Sequence, residues 1–440
     1  YQTPQGLKKP EVRHEVIHVK GQPDSSVDVA VTRHGPIVSD LLPGETRKLA
    51  LKWTIYEPGM WFAPFLDVDL AQNWDEFQRA LSHFDSPSQN VVYADVDGHI
   101  GYHATGKIPI HPQNTGAAPL DGTSDKQEWT GYIPFERLPS TFDPPNGVVA
   151  TANSRITPKK YPYVFLSAWD APFRAERIYR VLESGRKFAA TDMIALQTDV
   201  LSEFDRFCAE RYVYAVDRTK TASPRARQAA DLMRSWDGRM STDTAAPVIE
   251  TEARKELWRR LLEPKLGADH ALYSWSMSSV ALENILVHQP QRWLPKEYAS
   301  FDDLLAAAIE HAVTRKDVPK DLATWTWGKE HPLYLQHPVF GRMPVLDPWS
   351  GPGLKPQSGG RFTIKQVGRV FGPSERMTVD LADLDSSTMN LVTGESGQLF
   401  SPHYMDQFRA WYEGFSFAFP FSDAALNAAK KHELTLEPAK

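Results

Sequence analysis

The run Gly147-Val148-Val149-Ala150-Thr151-Ala152-Asn153-Ser154-Arg155, followed by Tyr161-Pro162 and then by Phe173-Arg174-Ala175-Glu176-Arg177-Ile178, decides how the rest of this sequence is read. Here a β-rich N-terminal part gives way to helix. Upstream, Val27-Asp28-Val29-Ala30-Val31-Thr32 alternates with the period of two that a half-buried strand requires, and His34-Gly35-Pro36 turns the chain. Asn90 to Tyr102 sets two apolar runs around Asp97-Gly98, a hairpin signature, because glycine supplies the positive φ of a tight turn. One helix is expected in this part, Asn73 to Ser82, with Trp74, Phe77, Ala80 and Leu81 at helical spacing.

Downstream the period changes. Arg177–Leu182, Thr191–Cys208, Arg225–Trp236, Val248–Leu262 and Asp302–Val313 each carry an apolar stripe at 3.6-residue spacing, with Thr191-Asp192 and Asp302-Asp303 as helix starts. From about residue 321 strands return as Phe362–Val370 and Arg376–Leu381, after the glycine- and proline-rich loop Gly351–Gly360. A short helix, Tyr404–Tyr412, precedes a proline-broken tail. The expected class is α+β in three parts: a β-rich 1–175, a helical 176–320 and a β-rich 321–440. In that reading the two β-rich parts meet around a helical excursion.

A chain of 440 residues exceeds one ordinary core. Its net charge of -6 creates no long-range field for nucleic acid or an anionic membrane, so neither is an expected partner. No apolar run approaches the roughly 18 residues of a membrane span. The single cysteine, Cys208, excludes an intrachain disulfide and CxxC-type sites, and its helical setting after Phe204-Asp205-Arg206-Phe207 reads as a buried, inert thiol. The 34 Pro, 13 Trp and 15 Tyr point to long ordered loops with large aromatic contacts.

Spacing alone yields little chemistry. His331 and His337 flank Pro332 with no HExxH-like pattern, so no zinc site is expected. Asp95 and Asp97 could pair as glycosidase carboxylates, but Asp97-Gly98 fits a turn better. The glycine pairs at 351–353 and 359–360 lack the Lys-Ser/Thr of a phosphate loop.

The opening run nevertheless resembles the penicillin acylase family of N-terminal-nucleophile (Ntn) hydrolases, whose pattern is a strand ending in Asn, a Tyr-Pro loop, then an Arg opening a helix. Further matches follow in order along the chain: Thr32-Arg33-His34-Gly35-Pro36-Ile37, Tyr93–Tyr102, Trp129-Thr130-Gly131-Tyr132-Ile133-Pro134-Phe135, Gly372-Pro373-Ser374-Glu375-Arg376-Met377 and Ser401-Pro402-His403-Tyr404-Met405-Asp406-Gln407. The resemblance implies a four-layer αββα sandwich with a mostly helical inserted domain. It also implies an autoprocessed precursor whose exposed N-terminal Ser attacks an amide carbonyl, with its own α-amino group, intrinsically of pKa about 8, as base. Asn153 matches the family's oxyanion-stabilising Asn, whose neutral NH2 can donate to developing negative charge; read alone it is also a turn-forming Asn. Arg174 matches an Arg that organises hydrogen bonds around nucleophile and substrate, the plain alternative being a helix-surface Arg. Trp53 and Gln89 fall at acyl-pocket positions; Gln89 is polar where the best-known members are aliphatic, and Trp53 also suits core packing.

Two departures matter. The family often binds calcium, but its acidic position after the Tyr-Pro loop falls near Phe165, so no metal ligand and no cofactor are expected. Tyr1 cannot be the nucleophile, so this chain is expected to be a fragment, a further-cleaved subunit or one of several chains, with the catalytic Ser on a companion chain of the same precursor, and to be inactive alone. The substrates implied are small N-acyl amides: penicillins and cephalosporins, N-acyl homoserine lactones or long-chain amides. A periplasmic or secreted home is the family expectation. The alternative from another class is a non-catalytic carbohydrate- or peptide-binding protein using the Trp and Tyr loops.

Overall fold

The structure, a computed structural model, describes residues 1–57, 64–111, 118–165 and 169–438. Contacts divide the chain into two compact units, Tyr1–Thr151 with Arg155–Trp169, and Ala152–Ser154 with Asp170–Lys440. The helical stretch 176–320 and the C-terminal 321–440 thus belong to one unit. Among the described residues every sheet has two or three antiparallel strands and lies within a single unit.

In the first unit, Glu11–Ile17 pairs with Ser25–Thr32 from Glu11↔Val31 to Ile17↔Ser25, and Gly35–Pro36 adds the third strand. Gly35 is irreplaceable there: φ is +103°, and a Cβ would lie 2.1 Å from the Leu51 carbonyl oxygen. The expected hairpin forms as Asn90–Ala94 with Ile100–Ala104, extended by Ser140–Phe142. Its turn uses Asp95, whose Oδ1 accepts the Asp97 and His99 N–H groups at 3.0 and 2.9 Å, with Gly98 at φ +93°. Asp95 therefore serves turn geometry. The helix Trp74–Leu81 starts where Asn73 accepts the Glu76 N–H at 3.0 Å, and it buries Phe77 and Leu81 against Phe84. Trp74 lies over Gly101, where a Cβ would come within 2.6 Å of the ring. The run Gly147–Ala152, expected to be a strand ending in Asn, is bend and irregular backbone rather than a strand.

The second unit is built on helices Phe173–Leu182, Ala190–Gln197, Glu203–Arg218, Pro224–Arg234, Ala246–Leu266, Ser278–His288 and Phe301–Thr314. The last is the hub. Leu304, Leu305, Ile309 and Val313 are fully buried in one apolar cluster with Tyr212, Ala229, Ile249 and Leu257, and each such aliphatic side chain contributes roughly 1.5–3 kcal/mol on burial. Cys208 is buried in the same cluster.

Two expectations need correction here. Thr191–Cys208 is two helices, because Asp199 leaves the helical path to pair with Arg177 at 2.7 Å and to accept the Leu201 N–H at 2.8 Å. Ser202 then caps the second helix by accepting the Asp205 N–H at 3.2 Å. Phe362–Val370 is a series of tight turns rather than a strand: Thr363 Oγ1 accepts the Gly360 N–H at 2.9 Å and donates to the Lys365 carbonyl at 2.7 Å. That folds Phe362 inward, edge-on against the stacked Phe173 and Phe204, with ring centroids 5.6 and 4.9 Å away. The C-terminal sheet orders Glu375–Thr378, Thr388–Leu391 and Phe417–Ala418, and the short helix occupies Phe408–Glu413.

Candidate active site

Asn153 and Arg174 come together in the second unit. The backbone of Asn153 is left-handed, φ +64°, a conformation that costs most side chains about 1–2 kcal/mol and that Asn tolerates best after Gly. Arg174 Nη2 donates to Asn153 Oδ1 at 2.9 Å, to the Ala152 carbonyl at 2.9 Å and to Asp170 Oδ2 at 3.1 Å. The amide is thereby oriented: its oxygen is committed to the guanidinium, so Nδ2 presents its N–H groups away from Arg174. Asn153 itself is exposed.

The frame around this pair is short-range and charged. The Asp170 N–H donates to the Asn153 carbonyl at 3.0 Å, and Asp170 Oδ1 accepts from the Ala171 N–H at 3.0 Å. Arg361 Nη2 stands 3.8 Å from the same carboxylate oxygen. Arg174 is the second residue of its helix, where a cation opposes the helix dipole by a few tenths of a kcal/mol or more. Asp170, just before the helix, offsets this. Asp170 and Arg361 went unnoticed in the sequence; the cue available was the i,i+4 spacing of Asp170 and Arg174.

Trp53 and Gln89 lie in the first unit. Trp53 is not a core residue: it is 54% exposed and meets Tyr56 edge-on, centroids 6.2 Å apart. Gln89 is exposed, and its main chain bonds twice to Thr105. Neither lines the cavity of about 610 Å³ in this unit, whose walls include His34, Ile37, Leu51, Lys52, Glu128 and Trp129. In that cavity Glu128 Oε1 meets His34 Nε2 at 2.5 Å, Oε2 accepts from Lys52, and the Lys52 ammonium sits 4.7 Å over the Trp129 ring. Burial pushes the Glu128 pKa up, but the Lys52 and His34 hydrogen bonds outweigh it and hold the carboxylate below its usual range. A carboxylate saturated in this way is a poor base. Sequence reasoning did not predict this cluster, because its members are distant along the chain.

Phe165 stacks on Trp169 at 5.8 Å and meets Tyr161 edge-on at 6.3 Å. An aromatic contact of this kind supplies no hard oxygen ligand, so the residue does not fit calcium. Among the described residues no group of three or more His, Cys, Asp or Glu side chains could hold a metal ion, and no helix is long and apolar enough to cross a membrane.

The chain is 27% identical over 423 residues to penicillin acylase 2 proenzyme of Pseudomonas sp., covering 91% of this chain and 52% of that protein. It is 26% identical over 486 residues to the acyl-homoserine lactone acylase QuiP of Pseudomonas aeruginosa, covering 97% and 57%. The chain thus spans about half the length of the curated relatives it matches. In structure it matches a thermostable penicillin G acylase from Alcaligenes faecalis with a TM-score of 0.72 at 19% identity, over 100% of this chain and 84% of the other. That likeness establishes the Ntn-hydrolase α+β fold. With the penicillin amidase pattern matched continuously across residues 1–428, the chain belongs to the penicillin amidase family.

Proposed function

We propose that this chain forms the larger part of an amide-hydrolysing acylase, with Asn153 as an oxyanion donor and Arg174 as the residue that positions it. The observation carrying the reading is the Arg174–Asn153 hydrogen bond of 2.9 Å, which fixes which end of the carboxamide points outward. As a nucleophile attacks an amide carbonyl, the oxygen gains negative charge, and a neutral N–H donor held in place lowers that barrier without reorganising. The nucleophile in this mechanism is the N-terminal Ser of a companion chain from the same autoprocessed precursor. The relatives' greater length supports that reading. Trp53 and Gln89 contact the acyl group, and the exposure of both leaves them free to do so. The substrates are N-acyl amides of the penicillin, cephalosporin or acyl-homoserine lactone type, and the enzyme works in the periplasm or outside the cell.

The test uses the whole protein that contains this chain. Asn153→Gly keeps the left-handed backbone without strain and deletes only the amide. It should lower kcat by about 10²–10³-fold, the usual effect of removing one oxyanion donor. Turnover within a factor of about three of the parent would exclude Asn153 from the chemistry. N-terminal sequencing of everything that copurifies should reveal a chain beginning with Ser; its absence would exclude the assigned nucleophile.

A further inference from the structure

The C-terminal sheet buries a cation without a counter-charge. Arg376, on Glu375–Thr378, is 3% exposed. Its Nη1 donates to the Trp411 carbonyl, and the Trp411 ring lies 5.2 Å from the guanidinium carbon. Its Nε and Nη2 are buried with no hydrogen-bond partner, and among the described residues no carboxylate forms an ion pair with it. Burial lowers the Arg376 pKa to about 10, so at neutral pH the guanidinium still carries its charge in this setting. A second cation, Lys365, is 9% exposed, and its Nζ donates to Ser358 Oγ at 3.1 Å. Burial and then the Arg376 charge lower the Lys365 pKa to about 8, so the two cations lie within reach of each other's field.

The same face offers another unmet polar atom. In the register of this sheet Asn390 is opposite Arg376 and Thr388 opposite Thr378, which places all four side chains on one face. Asn390 is engaged with Ser416 and the Leu391 carbonyl, whereas Thr388 Oγ1 is buried with no partner. A hydroxyl and two guanidinium N–H groups with no acceptor are the donor set of an anion site. Arg376 and Trp411 are 3% and 2% exposed, and so enclosed a setting favours a single-atom ion over a phosphate or an organic acid.

We propose that this face of the sheet is a structural halide site, with chloride bound by Arg376 Nε and Nη2 and by the Thr388 hydroxyl. The ion balances the buried charge and ties the Glu375–Thr378 and Thr388–Leu391 strands to Trp411. The test is anomalous diffraction from crystals of the whole protein soaked in bromide. A bromide peak within hydrogen-bond reach of Arg376 Nε or Nη2 is expected; no peak there, or a carboxylate side chain in its place, overturns the proposal. Melting in sodium chloride against sodium gluconate at equal ionic strength should give a saturable rise in Tm for the parent and none for Arg376→Met. A parent Tm indifferent to halide would mean an adventitious ion only, and an undiminished rise in Arg376→Met would place the halide elsewhere; either result overturns the assignment.

Discussion

Arg174→Met isolates the positioning role, because methionine keeps much of the stem and removes the guanidinium. The variant loses the donor to Ala152 O, Asn153 Oδ1 and Asp170 Oδ2, at 2.9, 2.9 and 3.1 Å, all from one nitrogen. Hydrogen bonds to charged groups contribute about 1.5–3 kcal/mol each, but two N–H groups shared among three acceptors do not make three full bonds. Asp170 also keeps the Ala171 N–H and stays 3.8 Å from Arg361. The net loss of stability should be about 2–3 kcal/mol. The catalytic loss has a ceiling, since Arg174 acts through Asn153 and cannot remove more than the amide contributes, about 10²–10³-fold. A carboxamide free to flip and drift by about 1 Å should lower kcat by about 10–100-fold. KM should change little, because the ground-state amide gains less from the donor than the oxyanion does. The assay is kcat and KM for Arg174→Met, Asn153→Gly and the double variant of the whole protein on a chromogenic N-acyl anilide, with melts to confirm folding. The double variant should be no slower than Asn153→Gly alone. Losses that multiply, or a folded Arg174→Met with unchanged kcat, would refute the coupling.

Glu250 should make the helical unit less stable as pH rises from about 5 to 8. It is fully buried, its Oε1 2.9 Å from Arg254 Nε, and burial pushes its pKa up to about 8 against the pull of Arg254 and with the help of Asp205. With the folded pKa above the unfolded value near 4.5, this contribution is complete below that pH and is lost as pH rises through about 8. Glu250→Gln should therefore flatten the fall in Tm between about pH 5 and 8, and an unchanged slope would contradict the reasoning. Cys208, 1% exposed and with its pKa raised by burial, should resist thiol reagents until guanidinium unfolds the chain; labelling of the native protein at a free-thiol rate would contradict it.

The sequence disclosed regular elements wherever period and capping agreed. Asn73 before an amphipathic run, and Asp97-Gly98 between two apolar runs, carry their geometry locally, and both formed as read. It misled where long-range partners decided. Thr191–Cys208 has an unbroken apolar stripe, yet Arg177 draws Asp199 out of the helix. Phe362–Val370 has the composition of a strand, yet the Phe173–Phe204 cluster takes Phe362 from a turn. The helix Ser278–His288 was missed although Leu282, Ile285 and Leu286 show i, i+3, i+4 spacing. For the site, the pairing of Asn153 with Arg174 came from family resemblance. No local pattern encodes a left-handed Asn whose orientation is set by a side chain twenty-one positions later.

The hydrogen bond from the Asp170 N–H to the Asn153 carbonyl ties together two positions of the second unit between which Arg155–Trp169 is assigned to the first. A segment with pinned ends is an exchangeable cassette. Lengthening it is cheap, about 0.6 kcal/mol per doubling of length, and need not shift the carboxamide at its base. The stretch is therefore a place where the chain can be lengthened in the laboratory while the polar frame at its base is kept.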